Sequence, residues 1–141
     1  MKWNIAREED FGVLAEYVLI WAREHGFKAD RNLLIDSMKS SDIVLFAEEG
    51  DKMVGAMAGH RHKLFWQEET FAVDDWFFVD PKYKGVAYFL HLAFCSWAKL
   101  AGCKSVLICP NRFGTMDVDD VPERLKKYGF DMYGYQMRKE L

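Results

Sequence analysis

The sequence predicts a single α+β domain: a mixed, mostly antiparallel sheet with one parallel β-α-β crossover, in the order β-α-α-β-β-β-α-β-α-β. Three observations predict it. Strand-like segments follow one another between residues 43 and 79 with no helix between them. A strand, an amphipathic helix and another strand then run from residue 71 to residue 109, the spacing of a right-handed parallel crossover. Finally, 141 residues, 50% apolar and 16% aromatic, supply one core and so one domain spanning 1–141.

Lys2–Ile5 is long enough only for a short strand. Residues 9–25 place Phe11, Leu14, Val18 and Trp21 on one helical stripe, flanked by Tyr17 and Ala22, and Gly26 is the natural stop. A shorter helix runs from Asp30, its N-cap, to about Ser40, with Leu33, Leu34 and Met38 expected inward. Ile43–Glu48 reads as a buried strand, and Glu49-Gly50-Asp51-Lys52 turns it back into Met53–His60. Gly55 and Gly59 inside that return mark a bulge or a close backbone approach.

Residues 61–70 read as a polar connection carrying Phe65 and Trp66, either a lid or partner-binding spot or rings tucked under the sheet. Phe71–Val79 is the next strand, ended by Asp80-Pro81. Val86–Ala101 is helical, with Val86, Phe89, Leu90, Ala93, Trp97 and Leu100 expected on its inner side and Gly102 as cap. Val106–Cys109 is a short apolar strand, and Pro110–Val121 a long loop. Asp120 to Glu123 forms a capping box with proline in the first turn of a helix ending at Gly129. Phe130–Leu141 is the last strand, whose exposed edge is suited to pairing across a homodimer.

Composition excludes several classes. Nineteen basic against 22 acidic residues give a net charge of −3, which argues against a nucleic-acid binder held by a basic surface. The longest clean apolar runs, Tyr17–Ala22 and Val86–Leu90, fall far short of the ~20 residues that span a bilayer, so no membrane partner is expected. Cys95, Cys103 and Cys109 are odd in number and follow no leader-like segment; they read as reduced core thiols of a cytoplasmic protein. His60 and His62 share a strand face but have no third ligand in view, and surface histidines explain them better than a metal. Asp117, Asp119 and Asp120 lack the spacing of a calcium loop.

The most informative stretch is Phe77 to Ala87: a buried strand, a short loop carrying Lys82, Lys84 and Gly85, then a helix start. Unpaired N–H groups at a helix N-terminus attract phosphate oxygens, Gly85 lets backbone approach a ligand, and the lysines add charge. An ordinary strand-to-helix connection with solvated lysines has the same local pattern.

Val79-Asp80-Pro81-Lys82-Tyr83-Lys84-Gly85 followed by an apolar helix resembles the acyl-CoA-binding motif V-x-P-x-x-R-G-x-G-x-G/A of the GNAT N-acetyltransferase superfamily. The resemblance runs along nearly the whole chain. Arg7-Glu8-Glu9-Asp10 is similar to the family's opening arginine-to-aspartate signature, Asp51–Gly55 to its hairpin, and Leu125–Phe130 to its Y-x-x-x-G-F. In style the chain is closest to small GNAT-like proteins of tailed phages, which implies the host cytoplasm as location. Two alignments of the motif stand open. In one, Ala87 and Phe89 take the later glycine positions; in the other the loop is two residues shorter and Val86-Ala87-Tyr88 matches a small-small-Tyr stretch.

The resemblance implies an N-acetyltransferase that moves the acetyl group of acetyl-CoA directly onto a primary amine, the acceptor itself not being named by the sequence. It places the pantetheine beside Phe78 and Val79, the diphosphate on Lys84, Gly85, Val86, Ala87 and Tyr88, and a further contact at Asn111. The base, or amine anchor, is a carboxylate on the preceding strand. Asp75 is preferred to Asp74, and strand alternation groups Asp75 with Phe77 and Val79, and Asp74 with Trp76 and Phe78. Leu125 stands where the family keeps a tyrosine acid, leaving Tyr128, Tyr133, Tyr135 and Tyr88 as substitutes or as packed aromatics. Cys109 reads as a structural thiol. The alternative to the enzyme is an inactive GNAT-shaped binding module, a phage accessory or virion component, favoured by the missing glycines and by Leu125.

Overall fold

A computed structural model describes residues 1–63, 65–66, 68–108, 125–131 and 139–141. The elements are β1 (Lys2–Ile5), α1 (Phe11–Glu24, preceded by a 3-10 turn at Glu8–Asp10), α2 (Arg31–Ser40), β2 (Ile43–Glu49), β3 (Lys52–Lys63), β4 (Thr70–Val79), α3 (Val86–Leu100) and β5 (Ser105–Leu107). The sheet runs in the order β1-β2-β3-β4-β5, antiparallel until the last pair, where β4 and β5 lie parallel across the α3 crossover. The α+β plan holds through β5. Leu125 and Lys126 are helical and Gly129 turns the chain at φ +86°, but Phe130, Asp131 and residues 139–141 are not in a strand. Cys109, the 110–121 loop, the 120–123 cap and residues 132–138 lie outside the described residues.

The sheet has two apolar faces, so its strands read as nearly continuous apolar runs. On one face α1 and α2 cover Val44, Phe46, Ala56, Ala58, Trp76 and Phe78. On the other α3 covers Ile43, Leu45, Met57, Phe77 and Val79. Asp30 caps α2 as expected: its Oδ1 accepts from the Leu33 N–H at 3.0 Å. Asp30→Ala is expected to cost about 1 kcal/mol, read as a lower denaturation midpoint at unchanged slope.

Several expectations need correction. Leu33 and Leu100 point to solvent. Each stands near a helix end, where the apolar stripe runs past the edge of the surface it covers. In α3 the inner row instead recruits His91, Phe94 and Ala98. Strand β3 continues through Arg61, His62 and Lys63, paired with Ala72, Phe71 and Thr70, because an exposed sheet end needs no apolar residues to hydrogen-bond. Phe65 and Trp66 are exposed and meet edge to face, 4.5 Å between ring centres, so they are not tucked under the sheet. Cys95 and Cys103 are free thiols but only half-buried, and burial pushes both thiols up from their usual range.

Candidate active site at the β4 bulge and the start of α3

Gly59 faces Asp74 while its neighbour Ala58 faces Trp76, so Asp75 is an extra residue in β4, a β-bulge. The bulge shifts the alternation by one residue. Beyond it Ala72 joins the α3 face that Phe77 and Val79 occupy, and Asp74, opposite Gly59, follows to that face and is buried at 2% exposure. Asp75 turns the other way, toward α2. The two carboxylates lie on opposite faces as expected, but the assignment is reversed: Asp74 shares its face with Phe77, and Asp75 shares its face with Trp76. An inserted residue leaves no mark in composition, so period-two counting fails here.

Asp75 is held by two partners. Its Oδ2 accepts from Ser41 Oγ at 2.9 Å, and its Oδ1 meets His60 Nδ1 at 2.5 Å. Next to it, Trp76 Nε1 donates to Ser37 Oγ at 3.0 Å, so consecutive bulge residues dock on α2 one turn apart. His62 stands 5.9 Å from His60, ring centre to ring centre, and packs edge-on against Phe71. Among the described residues no group of three His, Cys, Asp or Glu side chains is placed to hold a metal ion. His60, Ser37 and Ser41 were not legible as site residues. Only the register of β3 on β4 brings His60 to Asp75, and the connection that sets this register has no turn signature. Ser41 also lines a cavity of about 430 Å³ between β1, α1, α2 and β2, walled by Ile5, Phe11, Met38 and Val44.

At the C-terminal end of β4, four residues or about 13 Å beyond Asp75, the chain turns into α3. Asp80 builds this turn: its N–H donates to Val54 O, its backbone carbonyl accepts from Tyr83 N–H, and its Oδ1 accepts from Lys82 N–H. Lys52 spans the loop, with its Nζ 3.5 Å from Asp80 Oδ2 and 5.3 Å from the Tyr83 ring centre. Tyr83, and then Asp80, raises the Lys52 ammonium above its ordinary range. Gly85 takes φ +82° as the N-cap, a left-handed conformation that favours glycine. No side chain caps α3, and its first internal bond runs from Phe89 N–H to Gly85 O, so the Val86, Ala87 and Tyr88 amides start the helix without a side-chain acceptor. A Cβ at Gly85 would meet nothing within 4 Å, and Lys82 and Lys84 are exposed beside it.

Ala87 lies in the first turn of α3. Phe89 packs toward the α3-side core, and Tyr88 stacks on Tyr128 at 3.7 Å between ring centres. Tyr128 thus packs against the first turn of α3. Asn111, Tyr133 and Tyr135 fall outside the described residues. Further along α3, His91 is buried, its ring 4.8 Å from that of Phe77, and its Nδ1 donates to Ala87 O at 2.7 Å. Burial pushes its pKa down to about 4, so the imidazole is neutral.

No protein-family model matches the chain, and no curated protein sequence is significantly similar to it. Solved structures match over its whole length. An acetyltransferase from Trypanosoma brucei superposes with a TM-score of 0.71 at 17% identity, covering 99% of both chains. A GNAT family acetyltransferase from Staphylococcus aureus gives 0.73 at 14% identity, covering 99% of this chain and 98% of that one. An aminoglycoside acetyltransferase from an uncultured soil metagenomic sample, solved in complex with sisomicin, gives 0.72 at 17% identity, covering 99% and 95%. The chain therefore has the fold of the GNAT acetyltransferases.

Proposed function

We propose that the protein is an N-acetyltransferase that carries the acetyl group of acetyl-CoA to a primary amine. The observation that carries this reading is the placement, along one strand, of an acidic bulge at its middle and an uncapped helix start behind a left-handed glycine beyond its C-terminal end. The second feature suits an anion: the Val86, Ala87 and Tyr88 amides, the positive end of the α3 dipole and the charges of Lys82 and Lys84 converge on the turn. These groups would hold the diphosphate of acetyl-CoA, with Phe78 and Val79 flanking the pantetheine. Acetyl-CoA supplies an activated acyl thioester. The chain supplies position, and at the bulge a negative charge, Asp75, that draws a cationic amine.

Thermal melting tests the donor half of the reading. Acetyl-CoA at 100 times its Kd is expected to stabilise the protein by ~2.7 kcal/mol, and Gly85→Val together with Lys84→Glu is expected to abolish the shift. Amine-dependent release of free thiol tests the acceptor half. An unchanged melting temperature at millimolar acetyl-CoA, with the fold intact, overturns the reading and leaves a GNAT-shaped binding module.

A further inference from the structure

We propose that His60 is the proton acceptor for the incoming amine, with Asp75 and Ser41 as the residues that position it. The inference rests on the acetyltransferase reading above and names a group which that reading does not. Both carboxylate oxygens of Asp75 are engaged, Oδ1 by His60 Nδ1 and Oδ2 by the Ser41 hydroxyl. An ionised carboxylate can only accept, so its contact with Nδ1 places a proton there, and in the neutral imidazole the lone pair is then on Nε2. Of the two side chains His60 is the more exposed, 37% against 26% for Asp75, so the imidazole is the member of the pair that an amine meets first.

The pair is rigidly built. His60 and Asp75 stand on adjacent hydrogen-bonded strands, Ser41 follows the last turn of α2, and Trp76 pins the bulge to Ser37. Asp75 does for His60 what a buried carboxylate does for any catalytic imidazole: it selects the tautomer, fixes the ring and stabilises the imidazolium once the proton has arrived. His62 has aromatic neighbours, Phe71 and His60, and no carboxylate contact of this kind among the described residues.

The proton and bond changes balance. The ammonium form of the amine gives one proton to His60 Nε2. Its nitrogen bonds to the thioester carbonyl carbon as the C–S bond breaks, and its second proton goes to the departing thiolate. His60 then returns its proton to solvent. The products are the N-acetyl amide and free coenzyme A.

Two measurements test the assignment. Nitrogen-15 NMR of the imidazoles is expected to show His60 as the Nδ1–H tautomer in the wild-type protein and altered in Asp75→Asn; an Nε2–H tautomer in the wild type overturns the proposal. In thiol-release kinetics, His60→Ala is expected to lower kcat by about 10²-fold or more, leave the acetyl-CoA melting shift intact and recover activity with added imidazole. His60→Gln serves as a second, fold-preserving variant with the same expected loss and no rescue. Wild-type-like kcat in these variants, with acetyl-CoA still binding, overturns the role of His60 alone. A wild-type protein that shows neither a melting shift nor thiol release overturns the transferase reading and this role with it.

Discussion

Gly59→Ala is expected to destabilise the protein by about 3 kcal/mol or more, at the upper end of what overpacking costs. A Cβ at this position would lie 2.5 Å from Phe94 Cε2, 2.6 Å from Phe94 Cζ and 2.7 Å from the Val73 carbonyl oxygen. The ring belongs to one of the largest fully buried side chains, and the carbonyl belongs to β4 beside the bulge. Neither can withdraw without moving α3 or the strand that carries Asp75. The melting temperature should fall by on the order of 10 °C. Gly12→Ala is the control: its nearest neighbour is the flexible end of Arg31 at 3.3 Å, and it should be close to neutral. Equal effects of the two substitutions would contradict the packing argument.

A second large effect concerns acid. In the unfolded chain His91 takes up a proton as the pH falls below its ordinary value of 6.5, whereas burial in the folded protein keeps it neutral down to about 4. Below 6.5 the unfolded state therefore binds the extra proton, and stability falls with pH. The contribution is complete above pH 6.5 and lost between 6.5 and 4, to a total of about 3 kcal/mol. Chemical denaturation at a series of pH values should show this loss. His91→Leu, which keeps an apolar group against Phe77, should flatten the limb by a similar amount. Parallel pH profiles for the variant and the wild type would refute the assignment to His91.

How much of this could be read from the chain depends on what each feature leaves in the residue pattern. The stripe at Phe11, Leu14, Val18 and Trp21, the cap at Asp30 and the turn at Gly50 are local events, and the folded protein keeps them all. The strand-to-helix turn at Gly85 was visible for the same reason: its conformation needs a particular residue at a particular place. The partners of Asp75 were not. His60 lies 15 residues away and Ser41 lies 34, and their meeting depends on strand register and on one inserted residue. Nor was the direction of Asp74 legible, since the bulge reverses a face assignment that simple alternation predicts. Leu33 and Leu100 show the converse, apolar residues that match a period but find nothing to cover.

The two glycines of β3 also decide which half of the molecule can yield. Gly55 receives Val86 and Leu90, and Gly59 receives Phe94, like two sockets four strand residues apart, about 13 Å. Val86 and Phe94 are separated by eight helical residues, about 12 Å. Pegs so matched to sockets bar α3 from sliding or rolling and make it a stiff keel for the turn that begins at Gly85.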